Sequence, residues 1–181
     1  MNELAPGFLI AMPQLGDPNF SRAVILMIEH GTGGSMGLVV NRAAPITLRD
    51  LTRGQSIQVA RQFEDQPVFV GGPVEPQRGF ILHDSDRISE RHQVLPDLYL
   101  SVTTDALGPL LSGGEHHLRF CLGYAGWGPN QLQAEIASGA WLYTEAVSAA
   151  VLQGDPDELW DSTLRGMGVD PAMLFPTKGL N

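Results

Sequence analysis

The segment CLGYAGWGPNQL, residues 121–132, constrains the fold more than any other part of the sequence. In it an apolar run is followed by three glycines, the last of which directly precedes a proline. Glycine tolerates left-handed backbone conformations, and proline favours the first turn of a helix. The segment therefore predicts a strand over 118–123, a tight turn and a helix over 129–138. The turn contains Gly123, Gly126, Trp127 and Gly128.

Short apolar and β-branched runs separated by turn residues recur along the rest of the chain. They predict strands over 7–12, 23–29, 37–41, 68–70, 79–83, 98–102 and 141–147. The strands over 23–29 and 37–41 are expected to form a hairpin across a glycine-rich link. The strands over 68–70 and 79–83, which flank Gly71-Gly72-Pro73, are expected to form a second hairpin. The polar segment 84–96 is expected to be irregular.

Three further segments have the composition and end signals of helices. Thr47 is an N-cap candidate for a short helical turn over 48–51, and 105–111 suits a helix that ends before two glycines. A last helix is predicted over 156–165, with Asp155 as N-cap and Pro156 in the first turn.

Length and composition favour a folded α+β protein. A chain of 181 residues suits one domain over 1–181, and 43% hydrophobic against 17% charged residues is enough for a core. The strands are joined mostly by short turns rather than by regularly alternating helices. We therefore expect a largely antiparallel sheet flanked by a few helices.

The charge of the chain argues against direct binding to DNA or RNA. The formal net charge is −9, and Lys178 is the only lysine. Nucleic-acid binding depends on clustered cationic contacts to phosphate. Here such a patch would require arginines from distant segments, namely Arg22, Arg42, Arg78 and Arg119.

The sequence also predicts a cytoplasmic location without membrane attachment. No apolar run approaches the roughly 20 residues that span a bilayer, and residues 1–6 lack the basic and apolar regions of a signal peptide. The single cysteine, Cys121, cannot form an internal disulfide.

The glycine-rich turn has two interpretations. A helix N-terminus presents free N–H groups that attract anions, and Gly126 and Gly128 would allow a ligand to approach the backbone. However, the spacing matches neither phosphate-loop motif, and Pro129 removes one N–H. The alternative is that the glycines shape the backbone and allow Trp127 to pack.

Cys121 also has two interpretations. Alternation along a strand places His117, Arg119 and Cys121 on one face, where a neighbouring positive charge would favour a reactive thiolate. The alternative is a buried cysteine that serves as a small hydrophobic residue. The five histidines match no zinc-binding spacing, and no G-x-S-x-G motif is present. We expect no metal and no cofactor.

Five sequence blocks follow one another along the chain. They are FSRAVIL at 20–26 with EH at 29–30, GLVVNR at 37–42, VFVGGPV at 68–74, RGFILH at 78–83, and GYAGWG at 123–128 with QL at 131–132 and EI at 135–136. In this order and at these spacings, the blocks resemble the AlgH/YqgE family of bacterial proteins. The similarity runs from about Leu4 to Leu174.

The resemblance implies a bent sheet that forms a pseudo-barrel in a small cytosolic protein. The family name reflects a suggested regulatory role in exopolysaccharide production, and members are often described as candidate transcriptional regulators. The lack of a recognisable catalytic set and the acidic last third of the chain favour a regulatory or interaction protein without an established enzymatic activity, acting through protein partners or a small ligand. One alternative is a binder, or an enzyme, of an anionic small molecule at the Gly123–Gly128 turn. A thiol-based redox protein using Cys121 is a further alternative.

The polar and glycine-rich character of these blocks suggests where a ligand would bind. If the predicted hairpins converge, the blocks would line one cleft. Its residues would be Asn41, Arg42, Gly72, Arg78, Gly123, Gly126, Trp127 and Gly128.

Overall fold

The computed structural model describes residues 4–175, which contain ten strands, six α-helices and three short 3-10 turns. The strands are β1 Gly7–Ala11, β2 Val24–Gly31, β3 Gly34–Val39, β4 Ala43–Thr47, β5 Pro67–Val70, β6 Val74–His83, β7 His92–Leu95, β8 Leu98–Ser101, β9 Leu118–Trp127 and β10 Trp141–Thr144. The helices are α1 Leu48–Thr52, α2 Arg61–Glu64, α3 Thr104–Leu111, α4 Gln131–Ala137, α5 Ser148–Gln153 and α6 Leu159–Gly166.

The predicted α+β class is confirmed, but the predicted closure into a pseudo-barrel is wrong. Eight strands lie in the order β10-β1-β2-β3-β9-β6-β8-β7, and neighbours on this path are antiparallel. Within residues 4–175 the two end strands, β10 and β7, each pair on one side only. Because no ladder joins these ends, the sheet remains open.

The long strand β9 is the organising element of the sheet, and it corrects the predicted turn at 123–128. Its first half pairs with β6 and β5, and its second half pairs with β3 through Trp127 at its end. Gly123 has a φ of 76°, so the strand bends there and continues. Helix α4 begins only at Gln131, after Asn130 adopts a left-handed φ of 64°.

The predicted hairpin between 68–70 and 79–83 is also wrong, because β9 lies between these strands. Cys121 of β9 is opposite Phe69 of β5, in parallel register, and opposite Phe80 of β6, in antiparallel register. The Gly71-Gly72 link therefore crosses β9 instead of forming a two-strand turn. The amide of Gly71 donates to the Leu122 carbonyl oxygen at 2.8 Å, which holds the link against β9.

Other local predictions agree with the structure to different degrees. Strand β1 and the β2–β3 hairpin lie as expected, and Thr47 and Asp50 form a reciprocal capping box on α1. The segment expected to be irregular contains β7, and α5 was not predicted. The last helix begins at Leu159 with Glu158 as N-cap, three residues later than predicted, and the Asp155 carboxylate accepts from the Asp157 amide at 2.9 Å in the turn that precedes it.

The sheet is buried on both faces, which explains why its central strands are continuously apolar. Alternate residues of β1 enter different clusters, with Phe8 and Ile10 in one and Leu9 in the other. The first cluster lies under α5 and α6, and the second includes Leu132 of α4. A third cluster joins α1, α2 and α3 to β6 and β9. None of the described helices has the length and apolar character needed to cross a membrane.

Candidate functional site

An open groove of about 800 Å³ lies where the tip of the β2–β3 hairpin approaches β9 and the start of β6. We call it the Arg78 groove. Its volume is within the range of small-molecule sites. It is lined by Glu29, His30, Gly31, Gly33, Gly34, Ser35, Met36, Val74, Arg78, Tyr124, Gly126 and Trp127.

Gly126 contributes space to this groove rather than a special backbone conformation. A Cβ atom placed on it would lie 3.5 Å from Tyr124 Cε2 and 3.8 Å from Val74 Cγ2, which are ordinary contacts. Its φ lies outside the left-handed range. The missing side chain therefore leaves one side of the Tyr124 ring accessible, and a larger residue would fill that space.

Gly72 and Gly123 have a different role, because each allows two backbones to touch. A Cβ on Gly123 would collide with the Gly72 carbonyl oxygen, and a Cβ on Gly72 would collide with the Tyr124 carbonyl group. Both glycines also have positive φ values, 155° and 76°. These two predicted ligand residues are thus accounted for by close chain packing.

The polar groups of the Arg78 groove are mainly hydrogen-bond donors. Arg78 lies 5.1 Å from the centre of the Phe80 ring, and its Nη1 is 3.2 Å from Glu75 Oε2. His30 Nδ1 lies 2.6 Å from Ser35 Oγ. Partial burial raises the pKa of the Tyr124 phenol, and a hydrogen bond with Glu75 raises it further. The phenol therefore stays protonated near neutral pH, with its hydrogen directed to Glu75, and could donate to a ligand that replaces this carboxylate.

Glu135 is the important polar residue that the sequence interpretation assigned no role. Its Oε2 accepts from Trp127 Nε1 at 2.8 Å and from Trp141 Nε1 at 3.0 Å. Its Oε1 lies 3.3 Å from Gln131 Nε2. The carboxylate thus fixes the Trp127 ring at the end of the groove. The only sequence signal was an acid at the edge of the α4 apolar face, between two tryptophans.

The predicted anion site at Gly128 and the start of α4 has fewer free backbone donors than a helix N-terminus usually offers. The Gly128 amide donates to Gln131 Oε1 at 3.0 Å, so this N–H is already used within the chain. Asn130, in its left-handed conformation, precedes a helix of only seven residues. The start of α4 therefore has fewer free N–H groups than the anion-binding interpretation assumed.

Asn41 and Arg42 lie away from the Arg78 groove and bind the loop that precedes β2. Asn41 Oδ1 accepts from the Val24 amide at 2.9 Å, and its Nδ2 donates to the Arg22 carbonyl oxygen at 2.9 Å. The Arg42 guanidinium donates to the carbonyl oxygens of Asn19 and Ser21. The structure thus brings Arg78, Gly126 and Trp127 together and places Asn41 and Arg42 elsewhere.

Cys121 is fully buried between β5 and β6. Burial raises the pKa of its thiol to about 12, although the Arg119 charge acts in the opposite direction. Arg119 donates to the Gly154 carbonyl oxygen at 3.0 Å and lies 4.8 Å from the centre of the Phe69 ring. His117 pairs instead with Asp84 at 2.9 Å, away from any nucleophile. These surroundings disfavour a thiolate.

His83 and Ser101 form a buried pair that resembles a nucleophile and base but has the wrong proton direction. The Ser85 amide donates to His83 Nδ1 at 3.2 Å, so we assign the ring proton to Nε2. Nε2 then donates to Ser101 Oγ at 2.8 Å, and that hydroxyl donates to the Glu90 carbonyl oxygen at 2.7 Å. Burial lowers the pKa of His83 to about 4. The imidazole therefore has no free lone pair with which to accept the serine proton.

Histidines and acids elsewhere in the described chain are similarly dispersed. Across residues 4–175, no three His, Cys, Asp or Glu side chains are grouped so that they could hold a metal ion.

Comparison with known proteins places these features in a family. The family model described as AlgH-like, DUF179, matches residues 8–172. A UPF0301 protein of Myxococcus xanthus is 63% identical over 181 residues, covering all of both chains. Another, from Paracoccus denitrificans, is 41% identical and covers 98% of this chain and 97% of its own.

Solved structures show the same architecture. The solution structure of the AlgH protein from Pseudomonas aeruginosa has 33% identity and a TM-score of 0.77, and the match covers 98% of this chain and 96% of that one. A crystal structure of a Corynebacterium diphtheriae protein, at 21% identity, shares the fold with a TM-score of 0.71 over 98% and 90% of the two chains. The chain therefore belongs to the AlgH-like family of UPF0301 proteins, whose function is unknown.

Proposed function

We propose that this chain is a regulatory binding protein that recognises a small anionic molecule in the Arg78 groove. The observation that carries the proposal is that three side chains able to donate hydrogen bonds, Arg78, Tyr124 and His30, line the same groove as Gly126, whose missing side chain leaves space beside Tyr124. Guanidinium groups bind carboxylates and phosphates through paired hydrogen bonds. The ring of Tyr124 and the side chain of Val74 supply apolar surface beside these donors.

The ion pair already present does not prevent such binding. Arg78 and Glu75 are three residues apart, and their side chains are 52% and 54% exposed. Exposed pairs of this kind contribute only about 0–1 kcal/mol. A ligand carboxylate or phosphate can therefore replace Glu75 at a small cost. Glu29 and Glu75 also line or border the groove, so we expect selectivity for ligands with few negative charges.

The regulatory part of the proposal is supported by the lack of catalytic chemistry at the other candidate residues. Neither the buried Cys121 thiol nor the Ser101 hydroxyl beside His83 is an activated nucleophile. The net charge of −9 favours a protein partner over direct contact with DNA. Ligand binding in the groove would then control contact with that partner.

An NMR titration with inorganic phosphate, citrate and adenosine monophosphate as separate probes tests this site. We expect saturable shifts of the Gly126 amide and the Trp127 indole with at least one probe. Affinity should fall about tenfold or more in Arg78→Gln and in Gly126→Val, because one loses the charge and the other loses the space.

Arg53→Gln is the matched control, because Arg53 forms an equivalent exposed pair with Asp50, also three residues away and at 3.2 Å. Its affinity for the probe should equal that of the unmodified protein. The proposal is wrong if no probe shifts the groove resonances, or if Arg78→Gln and Arg53→Gln bind the probe equally.

A further inference from the structure

We propose a second, separate binding site, at Arg22, for a small carboxylic acid with an apolar body. A cavity of about 300 Å³ lies between the end of β1, the 3-10 turns Pro13–Leu15 and Pro18–Phe20, helix α6 and Phe175. We call it the Arg22 cavity. Ring and aliphatic side chains form most of its wall, namely Met12, Leu15, Phe20, Trp160 and Phe175.

Arg22 occupies a backbone position that suits glycine or asparagine better than arginine. Its φ is 56°, in the left-handed region that residues with a large side chain rarely adopt. Surrounding bonds hold it there: Asn41 Nδ2 donates to the Arg22 carbonyl oxygen, and the Arg42 guanidinium donates to that of Ser21. Strain maintained in this way is characteristic of residues with a binding role.

The guanidinium of Arg22 is positioned by aromatic rings and not by an acid. It lies 5.3 Å from the centre of the Trp160 ring and 5.0 Å from that of Phe175. Among the described residues it forms no ion pair. A guanidinium that stacks on rings keeps its planar N–H groups available for a carboxylate at its edge.

Acidic groups near the cavity have other partners or positions. Asp17 also lines the cavity, but its Oδ1 accepts from the Asn19 amide at 2.9 Å and caps the turn over 18–20. Asp157 and Asp161 line the adjoining hollow with Arg22, and none of the ion pairs among the described residues joins either of them to it. The charged residues that line the cavity itself are Arg22 and Asp17, and the Asp17 carboxylate is directed to the turn.

Size and polarity define the ligand class. A volume of about 300 Å³ is at the small end of ligand pockets, so it suits a body of roughly ten non-hydrogen atoms. An apolar wall favours an alkyl chain or a ring, and Arg22 favours a terminal carboxylate. The Arg78 groove differs, because it is more open and lined by polar groups and glycine backbone.

The test is an NMR titration with 3-phenylpropionate and octanoate, with 3-phenylpropan-1-ol as the uncharged control. The reporter is the Trp160 indole N–H, which donates to the Ala11 carbonyl oxygen at the cavity wall. We expect saturable shifts with the acids and about tenfold weaker binding of the alcohol, since it lacks the charge that Arg22 recognises. Equal binding of acid and alcohol would overturn the proposal.

Two variants separate recognition from folding. Arg22→Gln should reduce the affinity for 3-phenylpropionate to that of the alcohol. Arg22→Asn should do the same without lowering the melting temperature, because asparagine tolerates a φ of 56°. Arg91→Gln is the control, since Arg91 lies 4.9 Å from the centre of the Tyr99 ring, outside this cavity. Unchanged affinity in both Arg22 variants would show that the site does not use this residue.

The same experiment remains informative if the proposed function is wrong. Arg78→Gln should leave binding of 3-phenylpropionate unchanged, because Arg78 does not line the Arg22 cavity. Loss of binding in Arg78→Gln instead would mean that the acid occupies the Arg78 groove, and the second site would be rejected.

Discussion

Gly123 and Gly72 touch through their backbones, at the point where β9 bends and the link between β5 and β6 crosses it. A side chain on Gly123 would meet the Gly72 carbonyl oxygen and would lie 3.1 Å from that of Val74. This contact explains two glycines of the sequence blocks as requirements of the fold. It also distinguishes them from Gly126, three residues further along β9, which lines the Arg78 groove and has room for a Cβ atom.

We therefore expect alanine substitutions at Gly123 and Gly126 to differ strongly in how much they reduce stability. Gly123→Ala should destabilise the protein by about 2–4 kcal/mol, because it combines a φ of 76° with a steric clash. Gly126→Ala should change stability by less than about 1 kcal/mol, since its new Cβ would make ordinary contacts. Urea unfolding measures both. Similar losses in the two variants would contradict this account of β9.

Glu135 should be far more important to stability than an ordinary helix glutamate. Glu135→Ala would remove the acceptor of two indole N–H groups, on rings that are 6% and 1% exposed. We expect a loss of about 2–3 kcal/mol in the free energy of unfolding. Glu135→Gln retains one acceptor oxygen and should lose less.

The exposed residue Glu145, whose side chain forms no ion pair within residues 4–175, provides the control. Glu145→Ala should stay within about 0.5 kcal/mol of the unmodified protein. If Glu135→Ala is equally mild, the two indole bonds contribute little and Trp127 is held by packing alone.

Stability should decrease on acidification because of His83. Its pKa is about 4 in the folded protein, against about 6.5 when unfolded. The unfolded chain therefore binds the proton first. This contribution to stability is fully present above pH 6.5 and is lost as the pH falls from 6.5 towards 4, by at most about 1.4 kcal/mol per pH unit.

Urea unfolding between pH 4 and 7 measures this effect. His83→Gln should flatten the dependence in that window, although it will lower stability throughout. His92→Gln, at an exposed position of β7, should leave the slope unchanged. An unchanged slope in His83→Gln would show that other groups cause the pH dependence.

Cys121 should be unreactive in the native protein. Its thiol is completely buried, with a pKa of about 12, so thiolate is scarce and reagents have no access. Labelling with a thiol reagent should proceed only as fast as the protein opens, and it should accelerate with urea. A Val102→Cys variant, at a position that is 46% exposed, should label quickly under native conditions. Rapid native labelling of Cys121 with a pH midpoint below 8.5 would contradict this expectation.

Several elements were predictable because their signals are local. The Thr47–Asp50 capping box lies within four residues, and the β2–β3 hairpin follows from two apolar runs around a glycine-rich link. Alternation along β9 correctly placed Arg119 near Cys121, since Arg119 influences the pKa of that thiol. Local sequence does not report which strands become neighbours, so β9 was not expected between β5 and β6.

Long-range strand order also decided which candidate site residues lie in the Arg78 groove. Arg78 is distant in sequence from Gly126 and Trp127, and it lies in the same groove only because β6 and β9 are adjacent in the sheet. Asn41 and Arg42 looked like ligand residues, because a polar pair after an apolar strand has the same composition whether it binds a ligand or a loop. Only the hydrogen bonds to Val24, Arg22 and Ser21 distinguish these uses.

By itself, the sequence determined the α+β class, the family and the acidic net charge of −9. These properties depend on composition and on patterns within short segments. Tertiary structure decided that the sheet is open, that Gly123 is a packing residue, and that Cys121 has a strongly raised pKa. Those outcomes depend on long-range strand order and burial, because desolvation and steric contact arise only once distant segments are packed together.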